Sequence, residues 1–589
     1  MVGGIPIRSH ASYSDNKSAL RQLVFAVYLK IFFSLRSIAK MNKKSEVNIE
    51  NIQGSIWPRL PKYYETFLFF KIKDTDEFKT HLRSFANKIT TGAQCKAYFV
   101  ETNDLRQVTP GKPRTDTPPE LRKAFEAVNV SFSYKGIEKV RNRLPSKLTQ
   151  YLFSSPALIL TWKMQLVEQR RDDKLDDELH IRGMYKDMVF EGPDEPGSLA
   201  DEYKPPPDAR ADNDNWRVDG LFIVTAQTKD KLEDKIKELE TGFNVGTSSP
   251  SVKIDFRKDG NLRNADGKAE KAQGGTVSLH GKEHFGFEDE ISQPQIDSLD
   301  PEPGPGEQRR IPPGLIFTGL AGDKAKQPGW ATEGSFLVFR EIVEKVPEFH
   351  KFMRESSKKI PSFNDGKGEK LAAYLMGRWQ NGSPVELDPE GEKPECVFAN
   401  SFDYKKGHTL RKNTKCPFAA HIRKMRPRAD LYVGNNDSDV LDAEEVIANR
   451  NVTNTNVILR RSITFGPEVD EVEEAEVTKK ERGIYFLCYQ SDIRNGFNML
   501  IARWASNTTF APNTGIEGGP GVDPIISQRN RPDHPEGYVS IYDKPGDAAP
   551  YKIPLKFVAW TDQRGGEYFF TPSIEALKNK LSETELVEE

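Results

Sequence analysis

The sequence predicts an α+β protein of two domains, in each of which helices cover one face of a sheet. The chain has 589 residues, which is too many for one ordinary hydrophobic core. Patterns typical of strands and of helices alternate loosely in both halves. A break rich in proline and glycine, Leu299–Pro313, lies between the two halves and gives the predicted domain boundary.

The first half contains three predicted strands and two predicted helices. Phe67–Ile72 is an aromatic-rich run of strand length, and Gly220–Ala226 is an apolar run that starts at an Asp-Gly turn. Asp76–Ile89 has apolar residues at helical spacing. The remaining predictions are a strand at Ala97–Val100 and a charged helix at Lys229–Leu239.

The second half repeats this alternation. We predict strands and helices at the following positions: strands Gly314–Gly319, Phe336–Ile342 and Ile484–Tyr489, and helices Val343–Met353 and Asp492–Ala505.

One further segment cannot be a helix or an inner strand. Gly192–Asn215 is rich in proline, glycine and acid and contains three consecutive prolines, Pro205–Pro207, so we predict a surface insertion. The predicted organisation is an extension outside the fold (residues 1–46), an N-terminal domain (47–305) and a C-terminal domain (306–589).

The first forty residues differ in composition from the rest. They contain six basic residues and a single acid, Asp15, and Lys30 interrupts their apolar run. The run is therefore too short and too charged for a membrane span or a signal-peptide core. A basic, acid-poor segment also fits a mitochondrial presequence, and Met41 is an alternative start.

Composition and cysteine use suggest the surroundings of the protein. Lysine plus arginine (85) nearly balance aspartate plus glutamate (87), so charge gives no reason to expect nucleic acid or an anionic membrane as partner. We expect the four cysteines, Cys95, Cys396, Cys416 and Cys488, to be free thiols. This favours the cytosol over a mitochondrial or secreted location.

Four segments carry side chains with possible chemistry, and each also fits a structural role. His284–Pro294 fits a solvated acidic loop, and Ile458–Gly466 fits a strand that ends in a surface arginine pair. Arg482–Gln490 fits a core strand. Cys416–Lys424 contains His421, which fits a core histidine, although two preceding alanines would let a large planar group approach.

Taken together and in this order, these segments resemble the dye-decolorising peroxidase family, in its fungal-type branch. The resemblance runs from about Val47 to the C-terminus. The matching stretches are Asn51–Gly54, the Gly-x-x-Asp motif that ends at Asp289, Leu375–Pro384, Cys416–Arg423, the arginine at 460, the strand 483–490 and Gly521–Ile526. It implies two ferredoxin-like domains related to the dimeric α+β barrel, with haem b held mainly by the second.

The resemblance also implies roles at the haem iron. His421 would be the axial ligand of the iron, and Asp523 would accept the other N–H of its ring. Asp289 would be the distal acid–base, and Arg460 would stabilise charge during peroxide cleavage, which leads to a high-valent iron intermediate.

Further residues would surround the haem. Arg423 would pair with a haem propionate, and Arg461 would have a lesser role on the propionate side. Ile484 and Phe486 alternate on one face of their strand and would form a dry wall above the iron.

Two positions depart from the family pattern. Glu290 replaces the motif glycine, and its charge beside Glu288 predicts a higher pKa for Asp289 than in relatives with glycine. Phe465 stands where some relatives have a tyrosine that passes electrons from bulky substrates to haem. Trp504 matches a tryptophan of such relatives and is the remaining candidate for this route, although it also fits a core anchor.

The predicted function is therefore reduction of hydrogen peroxide with oxidation of small organic reductants such as dyes and phenolics. The alternative is a haem-binding protein with weak or no turnover, in which the His421 pocket is intact but Glu290 has altered the Asp289 region. A non-haem metal site with Cys416 and His421 lacks further ligands at plausible spacing. The sequence predicts no membrane span and does not determine the oligomeric state.

Overall fold

The architecture is seen in a computed structural model of the chain. It describes residues 46–102, 122–141, 175, 177–186, 199–207, 216–266, 279, 281–289, 293–302, 310–325, 327–397, 399–402, 404, 415–431, 455–470, 473, 477–512, 514–527, 537–544, 547–555 and 560–583. The predicted extension, residues 1–46, lies almost entirely outside the described residues. Within the described ranges, no helix is long and apolar enough to span a membrane.

The strands lie in one large sheet and one hairpin-like pair. Their bounds are β1 Tyr64–Ile72, β2 Glu126–Phe132, β3 Gly220–Ala226, β4 Val252–Asn261, β5 Ser335–Glu344, β6 Leu459–Arg460, β7 Ile463–Phe465, β8 Gly483–Gln490, β9 Tyr538–Ile541, β10 Tyr551–Pro554 and β11 Thr561–Thr571. The large sheet has nine antiparallel strands in the order β4-β1-β3-β2-β11-β5-β8-β6, and β7 also pairs with β8. Strands β9 and β10 pair with each other.

The helices follow the strands in both halves. Their bounds are α1 Thr75–Phe85, α2 Gly92–Glu101, α3 Tyr134–Arg141, α4 Glu178–Arg182, α5 Met184–Lys186, α6 Lys229–Gly242, α7 Val346–Ser357, α8 Glu369–Met376, α9 His421–Met425 and α10 Ile574–Asn579, with a kinked π-helix at Arg494–Ala505. Short 3-10 turns lie at Ala86–Lys88, Asp201–Tyr203, Pro313–Leu315, Gly329–Ala331, Pro361–Phe363, Pro394–Cys396 and Arg428–Leu431.

The strand order repeats itself, and this confirms the predicted fold class. In the first half, β1 to β4 lie in the order 4-1-3-2, with α1 after the first strand and α6 after the third. In the second half, β5, β6 with β7, β8 and β11 lie in the same order, with α7 and the π-helix in the matching places. Each half is thus a ferredoxin-like β-α-β-β-α-β unit.

The sheet separates two hydrophobic cores. Leu68 and Phe70 of β1 face the core under the helices, whereas Phe67 and Phe69 face the opposite side. On that side Phe67 lies 5.0 Å from Phe339 of β5, ring centre to ring centre, although three strands separate β1 from β5. The sheet therefore curls round this second core.

The two halves meet where β11 lies beside β2. Phe570 is in register with Phe132, and the hydroxyl groups of Ser131 and Thr571 are 2.6 Å apart. The buried Gln53 Nε2 donates to the carbonyls of Val130 (2.9 Å) and Pro572 (2.8 Å). The boundary between residues 305 and 306 stays a prediction, because both halves contribute to one sheet and residues 46–589 form one compact unit.

Most predicted elements are confirmed, and two are wrong. Ala97–Val100 belongs to α2, which a capping box between Thr91 and Gln94 starts. Gly314–Gly319 is not a strand but begins within a 3-10 turn, Pro313–Leu315. Two prolines, Pro312 and Pro313, start this turn.

Two further predictions need correction in part. The helix predicted from Val343 begins at Val346, and Val343 belongs to β5. The insertion predicted at Gly192–Asn215 is not wholly on the surface, since Tyr203 is buried and its hydroxyl donates to Glu341 (3.0 Å). All four cysteines are free, as expected.

Candidate active site

His421 opens the short helix α9 and is almost fully buried. The two alanines before it, Ala419 and Ala420, are fully buried as well, so only small side chains precede the imidazole. Its Nδ1 lies 2.9 Å from Oδ2 of Asp523. A proton on Nδ1 is donated to this carboxylate, which fixes the orientation of the ring.

Asp523 is held in place by the turn that follows it. Its Oδ1 accepts hydrogen bonds from the backbone N–H groups of Ile525 (2.8 Å) and Ile526 (3.1 Å). Its own N–H donates to the carbonyl of Ala505, at the end of the π-helix (2.8 Å). The Gly-Val-Asp-Pro-Ile-Ile stretch therefore builds a fully buried, rigid acceptor for His421.

Asp289 and Arg460 form a two-point ion pair. Arg460 Nη1 donates to Asp289 Oδ2 (2.7 Å), and Nη2 makes a short contact with Oδ1. Arg460 lies on β6, in register with Cys488 of β8. Because a bidentate pair of this kind aligns the plane of the guanidinium with that of the carboxylate, Arg460 holds the carboxylate of Asp289 in one orientation.

The His421–Asp523 pair lies next to the Asp289–Arg460 pair, with His421 Nε2 3.3 Å from Asp289 Oδ2. Burial opposes protonation of the imidazole, but the carboxylates of Asp523 and Asp289 outweigh it and raise the pKa of His421 to about 10. For Asp289, burial alone would raise the pKa, yet Arg460 and His421 hold that pKa well below its ordinary value.

Ile484 and Phe486 lie on the same face of β8 as Cys488, four and two residues before it. Since Cys488 is in register with Arg460, this face is the one from which the guanidinium projects. Both side chains are half-buried, and the ring of Phe486 lies 5.8 Å from that of Phe497. They place apolar surface on the Arg460 side of the sheet.

Arg423, for which a propionate role is predicted, is paired within the protein. This residue is fully buried, and its guanidinium donates to both carboxylate oxygens of Asp430 (2.5 and 2.7 Å) and to the carbonyl of Cys416. The propionate role of Arg423 stays a prediction. Arg461 donates to the carbonyls of Ile56 (3.0 Å) and Arg460 (2.8 Å) and so supports β6.

Trp504 is nearly buried, and its ring stacks on that of Phe510 at 5.1 Å and 9°. Phe465 stacks in a similar way on Tyr485, at 4.4 Å and 17°. The electron-transfer role of Trp504 stays a prediction. Glu290 lies outside the described residues, so the predicted influence of its charge on Asp289 stays a prediction too.

Sequence reasoning assigned no role to two residues that hold the site from behind. Gln293 Nε2 donates to the Arg460 carbonyl (3.2 Å), and Arg378 Nε donates to the Asp289 carbonyl (2.7 Å). Gln293 lies in the motif-bearing stretch His284–Pro294, and Arg378 lies in Leu375–Pro384. The sequence does offer a signal for both residues, because each is a polar side chain inside a motif whose other members already had a role.

Comparison with known proteins assigns this fold to peroxidases of the α+β class. A profile for the DyP dimeric α+β barrel domain matches residues 51–155, and one for the C-terminal part of Dyp-type peroxidases matches residues 399–510. The chain is 31% identical to a dye-decolorizing peroxidase of Mycetinis scorodonius, over 93% of this chain and 90% of that protein. It is 29% identical to one of Auricularia auricula-judae, over 91% and 88%.

Solved structures give the same result. The structure of an ancestral D-type dye-decolorizing peroxidase superposes with a TM-score of 0.71 at 31% identity and covers 91% of this chain and 99% of that one. A variant of the dye-decolorizing peroxidase of Pleurotus ostreatus superposes with a TM-score of 0.68 at the same identity and coverage. The chain belongs to the dye-decolorising peroxidase family, whose members are haem enzymes, and it is an oxidoreductase that acts on peroxide.

The side chains of the site are chemically suited to hold haem. The bond from Nδ1 to Asp523 leaves Nε2 of His421 as the atom that would bind iron, and an acid and a guanidinium lie on the far side. In this structure, however, Nε2 and Asp289 Oδ2 are at hydrogen-bond distance. Haem held at Nε2 would take the place of this contact.

Proposed function

We propose that the protein is a haem peroxidase that reduces hydrogen peroxide and oxidises organic molecules such as dyes and phenolics. The observation that carries this proposal is the alignment of Asp523, His421, Asp289 and Arg460 in one hydrogen-bonded row. A histidine that only fills the core needs one hydrogen-bond partner. His421 has a buried carboxylate on one ring nitrogen and an ion-paired acid facing the other.

His421 would hold the iron of haem b through Nε2, and Asp523 would make the imidazole more basic. When bound, haem b supplies the redox-active iron that passes two electrons from organic reductants to peroxide. Ile484 and Phe486 would exclude water on the Arg460 side. Because buried charges interact more strongly where water is absent, this apolar wall would strengthen the action of Arg460.

Asp289 would act as the acid–base. Its carboxylate accepts the proton from the inner oxygen of hydrogen peroxide and returns it to the outer oxygen, which leaves as water. The charge of Arg460 lowers the pKa of Asp289 and favours the ionised form, which can accept a proton in acidic solution. Arg460 supplies a fixed positive charge beside the oxygen on which negative charge grows.

The test uses the purified full chain supplied with haem. We expect a Soret band that His421→Ala abolishes and that Asp289→Asn retains. We expect Asp289→Asn to slow the reaction with peroxide by about 10²–10⁴-fold, because it removes the proton acceptor. Asp201→Asn, at an exposed position, is the control.

Two results would contradict the proposal. A His421→Ala variant with an unchanged haem spectrum would exclude His421 as the ligand. A wild-type protein that binds haem but is only slowly bleached by peroxide would instead be a haem-binding protein with little turnover.

A further inference from the structure

Two segments of the chain pack against each other behind Asp289. One is the distal segment, residues 282–289, which ends at Asp289. The other is the support turn, residues 378–384, which follows α8 and belongs to a stretch that the proposed function has not used. The contacts between them come from both ends of the distal segment.

At the end of the distal segment, Arg378 Nε donates to the carbonyl of Asp289 (2.7 Å). The same guanidinium donates to the carbonyls of Gly382 (2.9 Å) and Ala399 (3.1 Å) and to Oδ1 of Asn400 (2.7 Å). Arg378 is fully buried. One side chain therefore ties the backbone of Asp289 to the support turn and to the loop at 399–400.

At the start of the distal segment, Lys282 Nζ makes a short contact with the carbonyl of Gln380. Gln380 in turn lies against Gly286, whose φ is +99°, and a Cβ at that position would come 2.9 Å from Gln380 Nε2. Glycine suits this position because of the backbone angle.

The carboxylate of Asp289 and its backbone are held by different arginines. Arg460 fixes the carboxylate relative to β6, but a side chain can keep an ion pair while its backbone shifts. The Arg378 bond removes that freedom, because it fixes the carbonyl on the other side of the same residue. A charged donor to a carbonyl inside the protein is strong and directional, which suits it to this task.

We propose that Arg378 is a positioning residue for Asp289, and that it sets where the acid lies opposite His421. The inference rests on the proposed function, in which Asp289 is the acid–base. A purely structural arginine would contribute to stability alone. A positioning arginine also controls the local order of the distal segment and the rate of the peroxide step.

The first measurement is hydrogen exchange of the haem-free full chain, followed by mass spectrometry on peptides that cover residues 281–289. We expect Arg378→Met to speed exchange there by about tenfold or more, and Arg378→Lys to restore part of the protection. Arg217→Met is the matched control, because Arg217 is also buried but pairs with Glu567 of β11. It should leave exchange at 281–289 unchanged.

The second measurement uses the haem-loaded protein. We expect Arg378→Met to keep the Soret band and the KM for the organic reductant but to slow the peroxide step by about 10–100-fold, since small displacements of a catalytic group are costly. Arg378→Lys should regain part of that rate, which loss of stability alone would not produce.

Unchanged exchange at 281–289 together with an unchanged peroxide step in Arg378→Met would overturn the proposal. Should that variant not fold, the same two null results in Arg378→Lys would overturn it. A failure of the proposed function is separate: Asp289→Asn would then keep the full peroxide rate, whereas the exchange result for Arg378 would stand.

Discussion

At the scale of single residues, Asp289 shows how distant partners set a pKa. The predicted rise of this pKa above that of relatives with glycine, from the charges of Glu288 and Glu290, stays a prediction. The pKa itself is low, because Arg460 and His421 contact the carboxylate directly and stabilise its charged form against the effect of burial. These two partners come from positions more than a hundred residues away and cannot be inferred from the local sequence.

Trp504 gives a prediction at the same scale. If this ring passes electrons from bulky dyes, Trp504→Phe will lower bulky-dye turnover several-fold and leave the turnover of small phenols unchanged. The reason is that phenylalanine lacks the indole N–H and is much harder to oxidise than tryptophan. Steady-state rates with one large and one small reductant check this, with Trp330→Phe as the control. Equal loss for both reductants would indicate a core anchor, consistent with the stacking on Phe510.

At the scale of elements, α4 depends on a buried acid. Asp177 accepts hydrogen bonds from the N–H groups of Leu179 (3.0 Å), His180 (3.1 Å) and Ile493 (2.8 Å). Burial nevertheless raises its pKa to about 7. The acid thus ties the helix N-terminus to the start of the π-helix and does so with a proton still bound below neutral pH.

Asp177→Asn should therefore change how stability depends on pH. The folded pKa lies above the unfolded one, so the contribution of Asp177 is complete below about pH 4 and is lost as the pH rises through 7. Asparagine does not titrate. We expect the free energy of unfolding of the variant to rise relative to that of the wild type by about 1.4 kcal/mol per pH unit as the pH rises through this window. Urea unfolding measures both free energies. A constant difference between pH 4.5 and 7 would contradict this expectation.

The C-terminus of α8 gives a second prediction for an element. Gly377 has a φ of +94°, and a Cβ there would come 2.4 Å from Cγ1 of Ile422, next to His421. Gly377→Ala should lower the free energy of unfolding by about 2–5 kcal/mol, from backbone strain and overpacking together. Gly366→Ala is the control, because its φ is +76° but nothing lies within 4 Å of the added carbon. Equal losses in both variants would show that the contact with Ile422 costs nothing.

The sequence predicts those elements whose own pattern is strong. The apolar run at Phe67–Ile72 and the helical spacing before Phe85 need no distant information. Strand β4 opens with an alternation of apolar and charged residues, Val252–Arg257, so its own pattern is also that of a half-buried strand although it was not among the predicted elements. The motifs identify the four residues of the row in the site, but the Asp430 partner of Arg423 depends on a fold that brings a second turn beside α9.

At the scale of the whole molecule, the seam between β2 and β11 determines whether the halves unfold together. Gln53 bridges this seam, since Nε2 donates to Val130 and Pro572 and Oε1 accepts from the Val130 N–H (2.9 Å). Additional contacts cross nearby: Arg83 of α1 donates to the carbonyl of Ser582, just after α10 (2.9 Å).

Gln53→Leu should weaken this seam while it preserves the volume of the side chain. It leaves buried backbone groups without their partner, so we expect a loss of about 2–4 kcal/mol in the free energy of unfolding. Urea titrations followed by circular dichroism and by tryptophan fluorescence should still coincide, in wild type and variant alike. Two separated transitions in the wild type would show that the halves are independent.

The position of β11 has a consequence for how the chain is made. It is the last strand along the described chain, yet it lies in the middle of the large sheet, between β2 and β5. On the ribosome, β1 to β4 can pair long before β11 is translated, and until then β2 is a bare edge able to recruit strands from other nascent chains. A protein interrupted before residue 561 would therefore be expected to aggregate, and full-length yield would benefit from chaperones that shield that edge.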